Sequence, residues 1–156
     1  MTEKTTLHKI TPFLWFEDKA LEAARFYVSL FEGSRILDEH DGEDSGEPMS
    51  VSFELAGLKM IAFNGGPYFK FTPAVSLFVD CEDQGEVNRL WDTLTEGGEP
   101  GQCGWLIDRY GLSWQIVPTV LPSLLGHPDP VKAKRVMDAM LTMSKRNIAE
   151  LEKASC

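Results

Sequence analysis

Hydrophobic and polar positions along this chain change period from two to about 3.6 and back, and the changes occur in the same order twice. Thr11–Phe16 is apolar and aromatic, a strand whose Pro12 suits an edge position or a strand start. A helix follows, with Asp18 as N-cap and Leu21, Ala24, Val28 and Phe31 at helical spacing. Gly33 can supply the left-handed residue that ends it. Three strand-like runs come next, Ser34–Glu39, Ser50–Leu55 and Leu58–Asn64. The acidic segment Asp41–Pro48 separates the first two, and Ala56-Gly57 turns between the last two.

The second half repeats this β-α-β-β-β order. Ala74–Cys81 reads as a strand. Asp83 with Glu86 forms a capping-box-like start, and Val87, Leu90, Trp91 and Leu94 build an apolar helix face that Gly97-Gly98 ends. Short strands are predicted at Glu99–Gln102, Gly104–Asp108 and Ser113–Val117, with Tyr110-Gly111 as the last turn. A shift of 64 positions matches Arg25 with Arg89, Leu30 with Leu94, Glu32 with Glu96 and Gly33 with Gly97, whereas Gly57-Leu58 matches Gly111-Leu112 at another offset. A difference in loop length between two modules produces such a change. After Pro118 the repeat stops. Asp129-Pro130 starts a helix with Ala133, Met137, Met140 and Leu141 as its apolar stripe, and Asn147 caps a last helix carrying Ile148 and Leu151.

The expected fold is therefore α+β: two βαβββ modules, roughly residues 10–64 and 74–117, forming a curled mixed sheet around a cavity. A C-terminal helical segment at 129–153 completes one domain of 156 residues. No apolar run approaches the roughly 20 residues of a membrane helix, and Met1–Lys9 shows no secretory h-region. Cys81, Cys103 and Cys156, an odd number, read as free thiols of a cytoplasmic protein. A net charge of −9 argues against a phosphate-tracking surface, so neither nucleic acid nor membrane is expected as a partner. Curled sheet edges and methionines at 137, 140 and 143 point to a homodimer.

Several stretches resemble the PhnB-like branch of the glyoxalase/bleomycin-resistance (vicinal-oxygen-chelate) superfamily, whose members often carry the label 3-demethylubiquinone-9 3-methyltransferase. They are Thr11–Phe16, Phe26-Tyr27, Phe63-Asn64-Gly65-Gly66-Pro67 with Phe69 and Phe71, Gly101–Leu106, Asp108, Tyr110-Gly111, Ser113–Pro118 and Asp129-Pro130. The resemblance spans residues 8 to 152 and implies the two-module fold, usually as a homodimer. No Gly-rich turn between a first strand and a helix is present to bind S-adenosylmethionine, which speaks against methyl transfer as the activity.

The superfamily's metal-ligand positions map onto Thr11, Ile61, Ala74 (or, with a shift, Ser76) and Gln115. Only Gln115 is a plausible ligand, and His8, His40 and His127 have no chelating partner in sequence. No cofactor is therefore expected, and a divalent metal finds no support in these positions. Candidates for lining a small-molecule cavity are Thr11, Phe13, Trp15, Asn64, Ser76, Cys103 and Gln115. Phe13 and Trp15 serve equally well as core, Asn64 as a turn residue, and Cys103 as a buried small hydrophobe or a nucleophile. Glu54 faces solvent or acts as a base within the cavity. Trp114, out of phase with Gln115, should pack beneath the second helix. Three readings follow: a small-molecule binding protein without the usual metal site, a lyase, isomerase or dioxygenase acting on an enolate or diol, or a dimeric interaction module without a ligand.

Overall fold

The computed structural model describes residues 9–41 and 47–156. His8 and most of the acidic segment, Gly42 to Gly46, lie outside the described residues. Two compact units divide the chain, one ending at Lys70 and the other beginning at Phe71.

The first unit holds β1 (Phe13–Phe16), α1 (Ala20–Val28), β2 (Arg35–Asp41), β3 (Pro48–Leu55) and β4 (Leu58–Asn64). Its four strands are ordered β1-β4-β3-β2, with β1 parallel to β4 at the edge and the other pairs antiparallel. Pro12 sits just before β1, and its carbonyl accepts the Ile61 N–H. Ala56 and Gly57 both take positive φ, +49° and +91°, the geometry of a tight hairpin turn.

The second unit contains β5 (Ser76–Cys81), α2 (Gln84–Thr95), β6 (Glu99–Pro100), β7 (Trp105–Ile107) and β8 (Ser113–Pro118). Strand order β5-β8-β7-β6, again with only the first pair parallel, reproduces the first unit's topology. Three helices follow: α3 (Val120–Leu125), α4 (Pro130–Leu141) and α5 (Ile148–Ala154). The α+β class and the doubled module thus match the expectation, with two four-stranded sheets rather than one continuous sheet. Helix α3 was missed because its six residues include Pro122 and show no long apolar period.

Helix α2 forms as its pattern predicts. Asp83 accepts the Glu86 N–H at 2.8 Å, Glu86 reaches back to the Glu82 N–H, and Val87, Leu90, Trp91 and Leu94 are the buried face. Asp129 and Asn147 likewise cap α4 and α5. Two helix faces differ from the sequence reading. Helix α1 buries Ala20, Ala23, Ala24 and Tyr27, so of the expected stripe Leu21, Ala24, Val28 and Phe31 only Ala24 is fully buried. Small residues let the helix approach the sheet closely while Tyr27 packs against Phe53, with ring centroids 6.4 Å apart. Asp18 does not cap it. Asn64, at the end of β4, accepts the Ala20 N–H instead.

In α4 only Val136 is fully buried, joining Val117, Leu121, Met143 and Leu151 in a core with Ala139 and Met140 packed beside it. Met137 and Leu141 are exposed. No helix among the described residues is long and apolar enough to cross a membrane.

Candidate functional site

Alternation along the strands separates two faces of each sheet. In the first unit Leu14, Phe16, Val51, Phe53, Met60 and Ala62 are buried with α1. The opposite face carries Phe13, Trp15, Ile61 and Phe63, brought side by side by the parallel register Phe13↔Ile61 and Trp15↔Phe63. Phe63 lies 5.3 Å from Phe13 and 5.2 Å from Trp15, and Phe69 meets Trp15 edge-on at 4.8 Å between centroids. Half of Phe13 and two thirds of Phe69 remain exposed, at 55% and 65%. An edge-to-face cluster of this kind offers apolar ring faces to a planar guest.

The Asn64-Gly65-Gly66 stretch holds the cluster in place. Asn64 uses both ends of its amide, accepting from Ala20 and donating to the Pro48 carbonyl at 3.0 Å. Its role is to join α1, β3 and β4. A Cβ at Gly65 would lie 2.3 Å from the Trp15 ring, so only glycine lets the indole lie against the chain. Gly66 then accepts the indole N–H at 2.9 Å.

In the second unit the face opposite α2 carries Ser76, Phe78, Ser113 and Gln115. Gln115 donates its amide N–H to the Ser76 hydroxyl at 3.0 Å. Phe78, 54% exposed, is the register partner of Gln115. The Ser113 hydroxyl, opposite Ser76 in the parallel pair, is buried and has no hydrogen-bond partner among the described residues. Trp114 points the other way, as expected, and is buried. Its indole donates to Asp108, whose carboxylate also accepts the Tyr110 and Leu112 N–H groups. Asp108 shapes the last turn.

The two registers define the internal equivalence. Phe13 pairs with Ile61 and Phe78 with Gln115, so Phe13 corresponds to Phe78 and Thr11 to Ser76 rather than to Ala74. Ala74 is an exposed loop residue, and Thr11 is half-buried just before β1. Cys103 lies in the loop before β7, where its N–H donates to the Met143 carbonyl. Glu54 forms a surface ion pair with Arg35 at 3.9 Å. Sequence reading overlooked Phe63, Phe69 and Phe78 as members of these faces. Phe63 was legible, two residues beyond Ile61 on the same strand, whereas Phe69 comes from an irregular loop with no period to follow.

A divalent metal does not fit the inherited ligand positions. Thr11, Ile61, Ser76 and Gln115 supply two hydroxyls, one amide and a hydrocarbon, and the amide already engages one of the hydroxyls. Among the described residues no three His, Cys, Asp or Glu side chains gather as a metal would require.

Residues 8–117, well over half of the chain, match the family model for 3-demethylubiquinone-9 3-methyltransferase, which stops within β8 and leaves α3 to α5 outside it. The PhnB protein of Bacillus cereus is 35% identical, with 71% of this chain and 99% of that one covered at a TM-score of 0.65. A Pseudomonas aeruginosa protein is 20% identical over 72% of this chain and 98% of its own, at a TM-score of 0.61. The fosfomycin resistance protein FosX of Listeria monocytogenes, solved with Mn(II) and sulfate, is 13% identical, with 81% and 98% covered at a TM-score of 0.53, and shares the fold. A comparison with curated proteins finds no match. The chain belongs to the 3-demethylubiquinone-9 3-methyltransferase family, together with the PhnB protein of Bacillus cereus.

Proposed function

We propose that this protein binds a small planar or apolar molecule through the sheet faces its helices leave uncovered, and that it does so without the superfamily's divalent metal. The observation that carries this reading is the Phe13, Trp15, Phe63 and Phe69 cluster, held open by Gly65 and the Trp15 to Gly66 hydrogen bond. Large apolar rings left exposed at fixed positions mark binding surfaces more often than structural accidents. The Gln115 and Ser76 pair beside Phe78 gives the second unit a polar group able to orient a ligand oxygen or nitrogen. Methyl transfer draws no support from these residues. The β1 to α1 connection is Glu17-Asp18-Lys19, with no glycine to let a backbone approach S-adenosylmethionine.

Ligand-observed NMR against a panel of small aromatic acids, phenols and quinones tests the reading. Binding should appear for a subset of the panel and weaken about tenfold or more in Trp15→Ala, an aromatic anchor's usual share. A panel without a single binder, or binding indifferent to both Trp15→Ala and Gln115→Ala, overturns it.

A further inference from the structure

The segment between α4 and α5 is bound against the loop that precedes β7. Cys103 and Gly104 donate their N–H groups to the carbonyls of Met143 and Ser144, at 2.8 and 2.9 Å, and the Ser144 hydroxyl donates to Gly101. From the other side Gln84 of α2 donates to the Arg146 carbonyl at 2.9 Å and accepts the Ile148 N–H at 2.7 Å. Cys103 and Gly104 both adopt positive φ, +58° and +81°. A Cβ at Gly104 would lie 2.9 Å from the Arg146 Nε and 2.9 Å from the Ile116 carbonyl oxygen, so the guanidinium lies directly against this loop.

Arg146 is only 5% exposed, and its Nε and Nη1 are buried with no hydrogen-bond partner among the described residues. Nor does it join any ion pair there. A buried guanidinium with two unmet donors is costly, because it has surrendered water without gaining an acceptor. Burial pulls the Arg146 pKa below its usual value, and the neighbouring Cys103 opposes the shift. The Cys103 thiol is half-buried, and its S–H makes only a long contact of 3.8 Å to the Met140 carbonyl.

We propose that Cys103 is an oxidation site: a hydroperoxide converts its thiol to a sulfenic acid, whose oxygen accepts the hydrogen bonds that Arg146 has left to give. The sulfur attacks the outer peroxide oxygen, forming an S–O bond as the O–O bond breaks. Sulfur loses two electrons, and the peroxide is reduced to water or an alcohol, with the thiol proton completing the leaving hydroxyl or alkoxide. A cation held against the loop that carries Cys103 favours the negative charge that develops at the sulfur, and the sulfenic oxygen is a stronger acceptor than the thiol it replaces. Among the described residues neither of the other two thiols has a buried guanidinium with unmet donors on its loop, although Arg135 donates to the Cys156 carbonyl. Cys81 is fully buried, and Cys156 lies at the carbonyl end of α5, donating to Glu152.

The test treats the full chain with hydrogen peroxide in the presence of a cyclic 1,3-diketone that traps sulfenic acids, and follows the adducts by peptide mass spectrometry. Adduct should accumulate on Cys103 ahead of the more exposed Cys156. Arg146→Met should slow the Cys103 reaction about tenfold while leaving Cys156 unchanged, and Arg146→Lys, which keeps charge but loses the planar fork of donors, should fall between. Should Arg146→Met fail to fold, Arg146→Lys and the competition within the wild-type chain still decide. Labelling of Cys156 as fast as Cys103, or a Cys103 rate insensitive to a folded Arg146 variant, overturns the proposal.

Discussion

Gln115 of β8 donates its side-chain N–H to the hydroxyl of Ser76 on β5 across 3.0 Å, joining two positions 39 residues apart on one exposed sheet face. In the first unit the corresponding positions are Ile61 and Thr11, where no such bond can form. The repeat has kept its architecture in both halves and a polar pair in only one. That asymmetry makes Gln115 the residue whose replacement should separate binding from folding. Gln115→Ala should cost roughly 0.5–1.5 kcal/mol of stability, the net worth of one partly exposed hydrogen bond. Ligand affinity in the NMR panel should fall by more than that stability loss implies. Chemical denaturation and titration of the same sample compare the two.

Gly65→Ala tests the aromatic cluster's support. The new methyl would collide with the Trp15 ring, forcing the indole from its place and breaking its bond to Gly66. A loss of about 1–3 kcal/mol is expected from such overpacking, together with a changed near-ultraviolet circular dichroism spectrum. An unchanged spectrum and midpoint would mean that the ring has room that the geometry denies it.

Asp108→Asn should be among the more damaging isosteric changes in the second unit. One carboxylate accepts from Tyr110, Leu112 and Trp114, and an amide offers a single oxygen to the same three donors. Each donor left unmet costs roughly 1–3 kcal/mol. Thermal unfolding, with Trp114 emission as a local probe, measures the loss.

Burial, reinforced by the carboxylates of Glu86 and Asp80, pushes the Cys81 thiol up from 9.0 to about 12. A thiol whose folded pKa is raised contributes stability that is complete below pH 9.0 and is lost as the pH climbs from there towards about 12. Cys81→Ser or Cys81→Ala should therefore flatten the alkaline limb of the stability profile. In the native wild type at pH 8, Cys81 should resist a thiol-specific reagent that labels Cys156. Rapid labelling of all three cysteines would contradict its burial.

Association is expected as well. Met137 and Leu141 are 42% and 55% exposed on α4, and Phe13 and Phe78 are similarly open, apolar surface that a second copy can cover. Sedimentation at micromolar concentration should give about twice the 17.5 kDa chain mass, and Leu141→Glu should shift it towards the monomer. A wild-type monomer at that concentration would make Met137 and Leu141 ordinary surface.

The order of elements, the face of α2, the Ala56-Gly57 turn and the caps at Asp83, Asp129 and Asn147 could all be read from the sequence. Each depends on residues within a turn or two of one another, where periodicity and side-chain capping act directly. Strand alternation likewise put Phe13 and Trp15 on one face, whereas Ser76 and Gln115 were candidates through the ligand positions that the family resemblance implies. Tertiary structure decided the rest. The buried face of α1 depended on how closely the sheet could approach its alanines, and its first N–H was satisfied by Asn64 from 44 residues away. Register between strands, which aligned Phe13 with Phe78 and Thr11 with Ser76, depended on parallel pairing of β1 with β4 and of β5 with β8, segments far apart in sequence. Arg146 carries no local sign of burial, yet it is buried because α2 and the Cys103 loop close around it. Local sequence can specify a residue's periodicity and capping chemistry, but burial is a property of everything that surrounds the residue, and that is settled only when distant segments meet.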